Sequence, residues 1–103
     1  QDELKVKVES ENTIIAESYT LRPVYPNPFN ASFTVPFSLN EQMAVKVSLY
    51  NIAGQKVMNI LNEELSTGDY HFVVNTNDLG SGVYFLKLQL GKGMHTQKIV
   101  LMK

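Results

Sequence analysis

From Phe33 onward apolar residues recur at every second position, and that period decides what this chain can become. Phe33, Val35, Phe37 and Leu39 alternate with Ser32, Thr34, Pro36 and Ser38; Met43, Val45, Val47 and Leu49 alternate with Ala44, Lys46, Ser48 and Tyr50. Successive side chains of a strand leave on opposite faces, so a period of two gives one apolar and one polar face, where a helix needs 3.6. The second run is expected to lie antiparallel to the first across a turn at Asn40-Glu41-Gln42. Further strands are read over residues 56–61, at Tyr70, Phe72 and Val74, over 83–90 with Tyr84, Leu86, Leu88 and Leu90 on one face, and over 95–103. The segments between them have turn composition, above all Asn77-Asp78-Leu79-Gly80-Ser81-Gly82, and Gly54 and the Gly91-Lys92-Gly93 hairpin suit tight turns. No helical period of useful length appears. Strands spaced by roughly 8–15 residues predict an all-β fold, an immunoglobulin-like antiparallel β-sandwich of about seven strands.

Two positions complicate the pattern. Pro36 has no backbone donor, which predicts a sheet edge, or at least an unpaired donor side. In the last strand Val100 and Met102 point opposite to Ile99 and Leu101, so it reads as apolar on both faces. Either it is central in its sheet or a partner covers its outer face.

The front of the chain is less regular. Leu4, Val6 and Val8 alternate with charged neighbours, and Thr13-Ile14-Ile15-Ala16 is a short β-branched run. Residues 1–20 are read as a linker or the end of an upstream domain that can contribute a first strand, and residues 21–103 as the domain itself. The boundary is Tyr25-Pro26-Asn27-Pro28-Phe29-Asn30, where two prolines fix φ, remove two donors and push their preceding residues away from helix. A rigid, extended corner anchored by Tyr25 and Phe29 is expected there.

A chain of 103 residues is one domain and buries roughly two-thirds of its unfolded surface, enough for a core without cross-links. With no cysteine, disulfides, thiolate metal sites and cysteine nucleophiles are excluded. A net charge of −1 gives no reason to expect nucleic acid. The charge is unevenly spread: residues 1–20 hold five acids against Lys5 and Lys7, whereas from Leu79 on Lys87, Lys92, Lys98 and Lys103 meet no acid. That asymmetry is either two solvated faces or a basic terminal surface recognised by a partner. No run approaches the roughly 18 apolar residues of a membrane helix, so no membrane insertion is expected. The chain opens on Gln1 rather than Met and is read as part of a larger protein.

Catalysis lacks parts. His71 and His95 have no carboxylate nearby in sequence and read as structural. Gly80-Ser81-Gly82 has glycines directly beside the serine, not two residues away as in a nucleophile elbow. Gly91-Lys92-Gly93 lacks the remainder of a phosphate loop. Glu63-Glu64 and Asn75-Thr76-Asn77-Asp78 offer oxygen ligands without the alternate spacing of a calcium loop, so no metal or cofactor is expected. Asn30-Ala31-Ser32 fits the N-glycosylation triplet. Tyr19, Tyr25 and Tyr50 remain as platforms for a sugar ring, against the competing reading of rings buried with hydroxyls at the rim.

Five stretches in order complete the reading: Tyr25-Pro26-Asn27-Pro28-Phe29-Asn30, Tyr50-Asn51-Ile52-Ala53-Gly54-Gln55-Lys56-Val57, Gly68-Asp69-Tyr70, Leu79-Gly80-Ser81-Gly82-Val83-Tyr84-Phe85, and Gln97-Lys98-Ile99-Val100-Leu101-Met102-Lys103. Together they resemble the C-terminal sorting domain (type A) of proteins exported by the type IX secretion system. One departure is Ala31, where many relatives continue with another proline.

The resemblance implies an immunoglobulin-like sandwich and a non-catalytic sorting signal that directs a secreted cargo to the cell surface. It implies passage through the periplasm, contact with an outer-membrane type IX translocon and a sortase-like peptidase, and a cargo domain upstream. Pro26, Asn27, Pro28, Phe29, Gly54, Gly82, Val83 and Tyr84 match the family motif and also have structural explanations. Lys98 and Lys103 match its basic terminal segment, and Lys98, Ile99, Val100, Leu101, Met102 and Lys103 are the expected recognition element. The alternative is an immunoglobulin-like accessory module that binds polysaccharide or packs against a catalytic domain.

Overall fold

A computed structural model describes residues 7–10, 13–28 and 31–103, and these residues form nine strands. They are β1 (Lys7–Ser10), β2 (Thr13–Ile15), β3 (Tyr19–Leu21), β4 (Ser32–Leu39), β5 (Met43–Asn51), β6 (Lys56–Leu65), β7 (Gly68–Asn75), β8 (Gly82–Leu90) and β9 (Gly93–Leu101). One sheet has the order β1-β2-β3-β4-β7, the other β6-β5-β8-β9, and every pairing is antiparallel. The architecture is the expected immunoglobulin-like β-sandwich. The sequence reading of about seven strands missed short β3 and left the front of the chain open. Leu4, Val6, Phe29 and the glycosylation triplet's Asn30 lie outside the described residues.

The alternating rows meet between the sheets. Phe33, Val35, Phe37 and Leu39 of β4 face Val45, Val47 and Leu49 of β5, Leu86, Leu88 and Leu90 of β8, and Ile99 and Leu101 of β9, all buried. Removing each such side chain from water contributes about 1.5–3 kcal/mol, so this double row drives the collapse. Phe37, Tyr70 and Phe72 add a stack with centroid separations of 5.3–6.0 Å. The mid-chain strands thus bury the faces that their alternation predicts.

Pairing departs from expectation at two places. β4 and β5 do not pair; β4 lies between β3 and β7, and β5 between β6 and β8. The turn after Leu39 therefore carries the chain from one sheet to the other. Alternation alone is the same for a hairpin and for such a corner, because both leave one apolar face. Pro36 is likewise not in an edge strand. It lies opposite Arg22, just beyond the end of β3, where the Arg22 amide donates to the Pro36 carbonyl (3.1 Å) and no return bond is possible. The unpaired donor side was the correct branch of that reading.

Candidate functional site

The terminal strand β9 is an edge, which overturns the reading of it as central. Its alternation survives: Ile99 and Leu101 are buried, while Lys98 is exposed and Val100 half-buried, and Met102 just past the strand is exposed. The sequence looked apolar on both faces only because Val100 and Met102 are apolar residues on the outward side. The motif residues of β8 hold this strand directly, with Gly82 opposite Leu101, Val83 opposite Val100 and Tyr84 opposite Ile99.

An edge strand exposes unpaired backbone groups. Here part of that edge is closed by the Pro-Asn-Pro corner. The Asn27 side-chain amide donates to the Lys98 carbonyl (3.2 Å), and its oxygen accepts from the Val100 amide (3.1 Å). One side chain thereby imitates a neighbouring peptide group. Both X-Pro bonds of this corner, Tyr25-Pro26 and Asn27-Pro28, are cis. Tyr25 is not the expected anchor: its side chain is 52% exposed, its backbone exchanges two bonds with Thr34, and Val24 fills the core instead.

Farther along the same seam, the Val24 amide donates to the Gln97 side chain (3.4 Å). Tyr19 and His95 are joined by a 2.6 Å hydrogen bond with edge-on rings, and burial lowers the His95 pKa and raises that of Tyr19. Gly93 leaves the room this needs, since an added Cβ would run into the Tyr19 hydroxyl. Sequence reasoning missed this seam because it joins residues more than 70 positions apart. His95 is half-buried and His71 exposed.

The chain end is also tied down. The Lys103 amide donates to Ser81 Oγ (3.0 Å) and its Nζ to the Asn77 carbonyl (2.8 Å). Ahead of it, two tyrosines repeat one device. Tyr84 donates to the Gly80 carbonyl (2.7 Å) and Tyr70 to the Ser66 carbonyl (2.8 Å), each four residues back. In both, the intervening glycine has a φ that other residues avoid, +152° at Gly82 and +148° at Gly68. These are corners of the kind that lock strand entry in immunoglobulin-like sandwiches. At the β5–β6 hairpin Gly54 has φ +87°, and Asn51 Oδ1 accepts from the Ala53 and Gln55 amides.

The sequence profile of the secretion system C-terminal sorting domain matches residues 23–102. The chain belongs to that family. No curated protein matches it. The family's sorting domains are signals for type IX secretion, and this chain is therefore a sorting signal that implies contact with the secretion machinery and export. The motifs lie together in the fold: the Pro-Asn-Pro corner and the Gly82-Val83-Tyr84 stretch both meet β9, which runs into the basic end. Sorting domains are in general non-catalytic. Among the described residues no group of three or more His, Asp or Glu could hold a metal ion. Of the three sugar platforms, Tyr19 is buried and Tyr50 carries Lys87 Nζ 5.0 Å from its ring centroid, while Tyr25 stays exposed.

Proposed function

We propose that this sorting domain is read by the outer-membrane type IX translocon through the outward strip of β9 and the chain end that follows it. In this reading it trails an upstream cargo domain through the periplasm. It then meets a sortase-like peptidase, and the cargo ends secreted or on the cell surface. The domain itself is non-catalytic and acts by presenting a surface. Residues 21–103 form the sorting domain, and the preceding strands extend its first sheet.

The observation that carries the reading is the division of labour along the end of β9 and Met102 just after it. Ile99 and Leu101 are committed to the core, whereas Lys98 and Met102, the latter 59% exposed, face solvent beside half-buried Val100. A rigid strand that shows a lysine and apolar side chains outward suits recognition by a protein, because ordering costs are met before binding. Lys103 adds charge at the end while its backbone stays fixed to the loop before β8.

The test is export of a periplasmic reporter carrying the whole 103-residue chain at its C-terminus. The reporter is expected at the surface or in the medium of a host with the secretion system and in the periplasm of the same host lacking the translocon. A reporter that stays periplasmic in both hosts would overturn the reading.

A further inference from the structure

We infer that the outer face of the four-stranded sheet is a docking surface for an acidic protein, of which the outward strip of β9 is one margin. The inference rests on the sorting function proposed above and extends the recognised surface to β5, β6 and β8.

The strand registers build this face in rows. One row runs Lys56–Tyr50–Phe85–Lys98, an aromatic pair flanked by a lysine at each edge of the sheet. In the next row Lys87 stands between Ser48 and Thr96, and in the third Lys46 stands between Asn62 and Gln89. All four lysines are exposed. No Asp or Glu occurs in these rows; Glu63, opposite Val45, and Glu64, opposite Ala44, lie just beyond the Lys46 row on β6. Four of the nine Lys and Arg residues thus gather on one face of a chain whose net charge is −1. Two shallow depressions meet there, both lined by Tyr50 and Lys87, and exposed Ile52 and Met94 edge them.

Charge complementarity calls for an anionic partner, and the apolar groups decide its class. A pyranose ring stacks on an open aromatic face, but that of Tyr50 is occupied by Lys87. Phe85 beside it is half-buried, and the exposed apolar groups are aliphatic: Ile52 at 77% and Met94 at 61% exposure. Aliphatic and aromatic groups ringed by lysines match a protein surface with an apolar centre and carboxylates at its rim.

The decisive experiment reverses the face while sparing β9. The reporter with the whole chain is compared with its Lys46→Glu/Lys56→Glu/Lys87→Glu variant and with a His71→Glu/Val73→Glu control on the outer face of the other sheet. The triple variant is expected to lower surface delivery by at least about tenfold, because placing like charges across an interface costs several kcal/mol. The control is expected to match the unmodified chain. Should the triple variant melt more than about 5 °C lower, the Lys→Gln triple is scored in its place. Delivery unaffected by the substitutions would overturn the docking surface while leaving the sorting function intact; failure of the unmodified chain would overturn the sorting function instead. Purified chain is also passed over immobilised polygalacturonate, with no retention expected. Retention abolished by the triple variant would reassign the face to an anionic glycan and overturn the protein partner.

Discussion

Single side chains close the seam between the start and the end of this domain, and each can be tested alone. Asn27 supplies both a donor and an acceptor to the edge of β9. Asn27→Ala should cost about 1–3 kcal/mol, since each of its two bonds contributes roughly 0.5–1.5 kcal/mol net. Urea denaturation measures the loss, and faster hydrogen exchange at the Val100 amide locates it. His95 gives a pH signature. Burial holds its pKa below the usual 6.5, so the unfolded chain takes up the proton at higher pH than the folded one. Stability from this residue is therefore complete above pH 6.5 and falls as pH drops through that value towards the lower folded pKa. Thermal melts across that range should show the decline in the natural chain and a flatter profile in His95→Gln.

At the scale of elements, the two tyrosine corners fix how β7 and β8 begin. Tyr84→Phe removes the bond to the Gly80 carbonyl and should cost about 1 kcal/mol, while Gly82→Ala must also adopt an unfavourable φ and should cost about 1–3 kcal/mol. Equilibrium unfolding of both variants checks the order. The inward rows of β4, β5 and β8 were legible in the sequence because a half-buried strand writes its burial as alternation. Strand partners were not legible. The hydrogen bonds that make β4 a neighbour of β7 and not of β5 involve backbone groups, which every residue but proline supplies alike. Even Pro36 marked only the missing donor, not the strand that would have received it. The same limit hid the edge position of β9, where Val100 and Met102 carry no polar mark of their outward side.

Across the whole molecule, the motifs that identified the family lie far apart in sequence and converge in space. The opening corner, read from sequence as a boundary, turns out to be a clamp on the final strand. Its effect is rigidity: the strand proposed as the recognition element is held on one side by β8 and on the other, in part, by Asn27. Deleting residues 98–103 would strip Ile99 and Leu101 from the core and confound recognition with unfolding. Outward substitutions avoid that. The proposed function places recognition on the exposed residues of β9 and of the chain end just after it. The most direct measurement is the surface-delivered fraction of a reporter carrying the chain with Lys98→Glu/Met102→Glu, alongside the melting temperature of the purified variant. Delivery is expected to fall by at least about tenfold with the fold intact, as reversing charge at a recognised surface repels its partner. Delivery equal to that of the unmodified chain, at an unchanged melting temperature, would contradict the claim.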